Sequence, residues 1–414
     1  MQSRLIYYAR EGRRVSRCAE CRGFKRLCGK TICPILVKAR SSVELEKILK
    51  EDVFGSSPPA VFVGTWNYPK VLAGPLIPPL LGEETAVMDS PEMWLDKRIE
   101  DLLRYRFTLI RGKTAMNVEA AENPSRLLQT VQEIVMASHP TDAEAVFTKK
   151  PTLELIFSSR EAPVGPSATI DSLRLSGNPS VPSNIDKIVN DTDLKTSSGM
   201  VELYDNMIPQ QQIVRLLSIG LLGTKKKRKL VPTEWSITAT DDILGKKLHE
   251  EVTTYPWVNE FMVFGYEALH NNVLALFMPS SWMFEALECW LVGSSPKPDS
   301  DHELFQGRTN YASKVGGAYY ASRLPVLEYL KRIRRQAGVI TFLEVKKEWI
   351  PLGVFRFREI LRVALANDPA KFSSLEGALN YLRAKLNSPL DIWIQKSKVL
   401  SIFQKQSRIT SWLK

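Results

Sequence analysis

Along the 414-residue chain, stretches of helical period alternate with short apolar runs broken by Gly and Pro. "SSVELEKILK" (Ser41–Lys50) has an apolar face and capping-box spacing between Ser41 and Glu44, which predicts a short helix. "PPAVFVGTWNYPKVLAGPLIPP" breaks into β-like runs. "MWLDKRIEDLLRYRFTLIRGK" begins helical and finishes extended, and "SRLLQTVQEIVMAS" is a helix capped by Ser125 or by Asn123. "PTLELIFSS" is a strand candidate. Further on, "PQQQIVRLLSIGLLG", "LPVLEYLKRIRRQ", "GVFRFREILRVAL" and "SSLEGALNYLRAKL" predict helices, the last with a capping box from Ser373 to Glu376. "GVITFLEV" is a strand. No repeat and no regular βαβ alternation is visible, so the expected class is α+β: a small N-terminal module, a larger mixed body and a flexible C-terminal tail. Glu161–Asn184, rich in Pro, Ser and Gly, is an approximate boundary, either a linker or a long ordered loop. The expected parts are 1–40, 41–160, 161–395 and 396–414.

Charge sharpens this division. The net charge is +11. Residues 1–50 hold thirteen Lys/Arg against four Asp/Glu, and residues 321–414 hold eighteen against seven. The remaining 25 cations and 34 anions leave the middle at −9. Basic ends suit a polyanion. No run of about 18 apolar residues could span a membrane, since Pro279, Ser280 and Ser281 break the greasiest segment, Asn271–Leu287. The start lacks the apolar region of a secretory signal, so a cytoplasmic protein is expected.

Four of five cysteines, Cys18, Cys21, Cys28 and Cys33, have the spacing C-x2-C-x6-C-x4-C. Four thiols so close together in an otherwise Cys-poor chain point to a metal. Zn²⁺, held by thiolates at about 2.3 Å, is the expected ion, in a closed structural site. Cys33-Pro34 keeps an iron–sulfur cluster open as the alternative. Cys289, alone in an apolar segment, is expected in the core. No G-x-G-x-x-G or Walker A pattern appears.

The blocks "CRGFKRLCGKTICPIL", "PPAVFVG", "VFTKKP", "APVGPSA", "DTDLK", "SIGLLG", "KLVPTEWSITATDD", "GGAYYASRL" and "PLGVF" occur in this order. In them the chain resembles the archaeal Nre family, described as DNA repair proteins, over essentially its whole length. The resemblance implies a Cys-rich N-terminus, a place at the nucleoid when on DNA and, as in several members, a C-terminal motif that binds the sliding clamp PCNA. Two positions depart from the family's pattern, which usually has Arg where this chain has Thr65 and Glu234.

The tail "QSRITSWL" fits Q-x-x-h-x-x-a-a with Gln406, Ile409, Trp412 and Leu413. One tight helical turn would place the last three on one side, an apolar plug for a clamp pocket. The alternative is a terminal helix docked on its own domain. Lys225, Lys226, Lys227, Arg228 and Lys229 are five consecutive cations suited to phosphate, with Lys149 and Lys150 a second such contact. In "GGAYYASRL", Tyr319 and Tyr320 could stack on a base and Arg323 could meet a phosphate, or the segment is a packed helix start. Asp191, Asp193, Asp241 and Asp242 are candidate carboxylates for Mg²⁺ or acid–base work, unless Asp241 or Asp242 merely caps the helix "DILGKKLHEEV". Two functions follow: a clamp-recruited repair protein binding DNA or nucleotide, or an enzyme hydrolysing damaged DNA or purine nucleotides in the acidic middle.

Overall fold

The computed structural model describes residues 21, 33, 36–37, 49–153, 164–292, 296–350 and 352–405. Most of the N-terminal helix expected at Ser41–Lys50 and most of the "PTLELIFSS" strand lie outside these residues. The chain forms two compact units, Met1–Thr240 with Ile350–Leu352, and Asp241–Trp349 with Gly353–Lys414. Both are mixed α+β, each built on one sheet.

In the first unit, β1 (Asp52–Ser57), β2 (Val61–Val63), β3 (Lys70–Ile77), β4 (Ile110–Asn117), β5 (Thr141–Phe147) and β6 (Ser167–Leu175) take the order β1-β5-β6-β4-β3-β2. Only β4 and β6 run parallel. β6 lies inside the Pro/Ser/Gly-rich stretch expected as a boundary, and the division between units falls instead at Thr240/Asp241. Gly74 and Gly112 let β3 and β4 pack tightly, because a Cβ on Gly74 would strike the Gly112 carbonyl. The helices of this unit are α1 (Ile99–Thr108), α2 (Arg126–Met136), α3 (Ser183–Asn190), α4 (Thr196–Asp205) and α5 (Gln210–Ser218). Ser125 caps α2, its Oγ accepting from the Leu128 amide at 3.3 Å. Arg215 on α5 is buried against Asp89, with Nη2 3.0 Å from Oδ2.

α6 (Thr233–Val252) contains the division. The second unit then adds β7 (Phe261–Ala268), β8 (Asn271–Met278), β9 (Met283–Leu291), β10 (Asp299–Glu303), α7 (Gly317–Ile333), β11 (Gly338–Lys346), α8 (Phe355–Ala366) and β12 (Ala370–Phe372). Three helices end it, α9 (Leu375–Lys385), α10 (Leu390–Lys396) and α11 (Lys398–Lys405). The sheet order is β10-β9-β11-β8-β7-β12, with β9 and β11 parallel through the α7 crossover. All eight residues of β8 are buried, which is why Val273–Met278 is continuously apolar instead of alternating, while the Asn271 and Asn272 side chains donate to the Leu269 carbonyl and to Glu344. Leu274, Leu276 and Met278 join the core shared with α9–α11, while Phe277 turns the other way to meet Tyr329 of α7. Cys289 sits in that core, and burial pushes its thiol up to about 11.

Two expectations are corrected. α7 starts seven residues before Leu324 and takes in most of "GGAYYASRL", with Pro325 inside it. The cap of α9 is Ser374 and not Ser373: its Oγ accepts from the Gly377 amide at 3.2 Å.

Candidate nucleic-acid interface

Three stretches of the first unit are tied together by backbone bonds. The Val118 amide donates to the Pro69 carbonyl (2.9 Å), and the Leu230 amide donates to the Val118 carbonyl (2.8 Å). The Val63 amide at the sheet edge donates to Thr233 Oγ1 (2.9 Å) in the first turn of α6. The β2–β3 turn, the end of β4 and the segment entering α6 therefore share one surface. The turn is shaped by Asn67, left-handed at φ 61° as Asn tolerates, and by Lys70 N–H donating to the Asn67 carbonyl at 2.8 Å.

That surface carries Trp66, Tyr68 and Trp235, with relative exposures of 75%, 50% and 46%. The Tyr68 and Trp235 rings lie 5.2 Å apart at 50°. Lys70 and Lys229 are exposed beside them. Lys229 sits 3.3 Å from Glu119, a partly screened pair. Upstream, Lys225–Lys227 form a 3₁₀ turn, fully on the surface, and make no ion pair among the described residues. Arg228 differs from the phosphate contact expected of it. Its Nε donates to the Gly223 carbonyl (2.9 Å) and its Nη2 to the Val189 carbonyl (2.6 Å), and burial lowers its pKa. It fastens the loop so that its lysine neighbours point outward. Lys149 and Lys150 are exposed in the turn after β5.

The candidate carboxylates are divided between the two units. Asp191 and Asp193 belong to the first unit, Asp241 and Asp242 to the second. Asp191 Oδ1 accepts from the amides of Asp193 (3.1 Å) and Leu194 (3.0 Å), a turn-closing role. Asp241 and Asp242 do not cap a helix, because α6 has already run from Thr233. Asp241 is fully buried, and its Oδ1 accepts from Arg358 Nη1 at 2.9 Å. Burial raises its pKa, opposed by Arg358. Asp242 pairs with Lys246 at 2.7 Å on the helix surface.

Tyr319, Tyr320 and Arg323 take the packed helix start that was the alternative to a ligand contact, since all three are buried. The two rings meet edge to face at 5.2 Å, so neither offers a face to a base. The Tyr320 hydroxyl accepts from the Ala312 amide at 3.0 Å. Arg323 Nε donates to Glu303 Oε1 at 2.7 Å, and Trp282 Nε1 donates to the same oxygen at 2.8 Å. Gly245 leaves room for the Arg323 guanidinium, which a Cβ there would meet at 2.6 Å. Burial, with the charge of Glu303, raises the Tyr319 pKa well above its usual value.

Of the four-cysteine motif, Cys21 and Cys33 are described, and Cys18 and Cys28 lie outside the described residues, as do Gln406, Ile409, Trp412 and Leu413 of the tail. Among the described residues no three His, Cys, Asp or Glu side chains gather as a metal site, and no helix is long and apolar enough to cross a membrane.

The fold and this surface define a two-unit α+β protein with an exposed basic and aromatic face. Residues 27–295 match the family model described as archaeal Nre, N-terminal, and residues 303–412 the one described as archaeal Nre, C-terminal. The chain belongs to the archaeal Nre family. It is 37% identical over 390 residues to DNA repair protein NreB of Archaeoglobus fulgidus, covering 92% of this chain and 96% of that one. DNA repair protein NreA of the same organism is 37% identical over 369 residues, covering 88% and 92%. DNA repair protein NreA of Haloferax volcanii is 35% identical over 341 residues, covering 78% and 81%. No solved structure matches.

Proposed function

We propose that this chain is a DNA repair factor that binds DNA through the basic face of its first unit and is recruited by its C-terminal segment to the PCNA sliding clamp. The relatives' names support the repair role. The observation that carries the DNA contact is the exposed turn Lys225–Lys227, whose charges are not spent on internal pairs among the described residues. Lysines presented in this way displace condensed counterions from a phosphate backbone and impose a steep salt dependence. Cys18, Cys21, Cys28 and Cys33 would hold Zn²⁺ as a structural centre. The donor set supports this, because four thiolates are the usual shell of a closed site.

Fluorescence anisotropy with a labelled oligonucleotide across 50–200 mM salt, roughly the range where such contacts are lost, tests the reading. The triple substitution Lys225→Ala, Lys226→Ala, Lys227→Ala should weaken binding and reduce the log–log salt slope by about 2 to 3. An unaltered protein that binds no DNA at low salt, or a triple variant with the parental slope, would overturn it.

A further inference from the structure

We infer that Trp66, Tyr68 and Trp235 form a stacking platform for unpaired bases, so that the DNA this protein takes on its first unit is single-stranded. The inference rests on the DNA-binding reading above and deepens it. Three large aromatics at 75%, 50% and 46% exposure on one stitched surface are an unusual concentration of apolar area left in water. Two of them come from a tight turn and one from the start of a helix, and the Tyr68–Trp235 contact fixes the place of those two rings. Rings held by backbone geometry and still largely exposed are suited to bases, whose π-faces are available only when the strand is unpaired.

The flanking charge selects the occupant. Lys70 begins β3 beside the turn, Lys229 follows from the Leu230–Val118 bond, and Lys225–Lys227 lead into the same segment. A strand of bases on the rings with phosphates on the lysines matches this alternation. Glu234, exposed next to Trp235, and Glu119, paired with Lys229, are the opposing charges on this surface. A duplex would meet the lysines but bury its base faces away from the rings.

The full-length chain is titrated with a labelled oligo-dT and with a duplex of the same length, as the parent, as Trp66→Ala with Trp235→Ala, and as Trp66→Phe with Trp235→Phe. The alanine pair should lose roughly five- to hundredfold in affinity for oligo-dT while duplex binding and the salt slope stay at parental values. The phenylalanine pair should keep most of the affinity but lose the Trp fluorescence quenching that oligo-dT causes in the parent. An unchanged single-strand to duplex ratio in the alanine pair, or parental quenching in the phenylalanine pair, overturns the platform and leaves the lysine contact standing. A parent that binds neither DNA overturns both readings.

Discussion

Asp241 shows how burial decides what a residue can do. A carboxylate desolvated at the centre of a fold and aimed at a guanidinium is occupied, whatever its sequence block suggests. Removing one partner of such a pair leaves the other uncompensated. Asp241→Ala should therefore cost about 3 kcal/mol in unfolding free energy of the second unit, read by urea denaturation, with DNA affinity unchanged. Unaltered stability in that variant would reject the structural role. His249 gives a pH dependence. Burial, then the nearby Arg323 charge, lowers its pKa below 6.5, while its Nε2 contacts the Phe305 carbonyl at 3.0 Å. The folded state thus prefers neutral imidazole, and the unfolded chain binds the extra proton. His249 contributes stability above pH 6.5 that is lost as pH falls through the lowered folded pKa. The melting temperature should drop between about pH 7.5 and 5.5, and His249→Gln should flatten that drop. A parallel decline in both proteins would show that another group is titrating.

At the scale of elements, two buried glutamates on the second sheet pin the C-terminal helices. Glu285 of β9, wholly buried, accepts from Ser397 Oγ (2.5 Å) and the amides of Lys398 (3.1 Å) and Val399 (3.0 Å) at the start of α11. Glu344 of β11 accepts from the amides of Asn387 and Ser388, both at 2.9 Å, just before α10. A carboxylate at a helix N-terminus satisfies orphan amides and complements the helix dipole. Glu285→Ala should raise hydrogen exchange across 397–405 and cost about 2–4 kcal/mol. Protection at the parental level there would dismiss the pinning role. These glutamates were beyond sequence reading because each sits in an apolar run, "SWMFEALECW" and "TFLEVK", while its partners lie 112 and 44 residues away in sequence. Local pattern did show β2, β3, β11, the α1-to-β4 switch and the Ser125 cap, since those depend on neighbours in sequence. It misplaced Arg228 and left Tyr319 and Arg323 open between a ligand contact and a packed helix start, because their exposure is set by distant chain. The Trp66–Tyr68–Trp235 face was missed for the same reason. Its one sequence signal was a pair of Trp-bearing blocks, "VGTWNYP" and "PTEW", whose proximity only the fold supplies.

For the whole molecule, the proposed division of labour turns on the end of the last described helix. α11 ends at Lys405, and the side chains of Ile402 and Phe403 pack against the second unit's core, with Phe403 edge-on to Phe261 at 5.9 Å. The helix is fixed at its other end by Glu285. α11 is therefore anchored to the second unit at both ends. On the proposed reading, residues 406–414 bind a partner instead of forming a terminal helix of the domain. Truncation after Lys405 should leave the melting temperature within about 2 °C, because surface changes away from packed features alter stability little. The same truncation should abolish calorimetric binding to PCNA, and Ile409→Ala with Trp412→Ala in the full chain should do so as well. Clamp loaded on DNA should also raise the apparent DNA affinity of the full chain but not of the truncated one, since tethering makes the second contact intramolecular at roughly millimolar effective concentration. A truncated protein that melts many degrees lower would make the tail part of the core. A truncated protein that still binds the clamp would move the contact elsewhere on the chain.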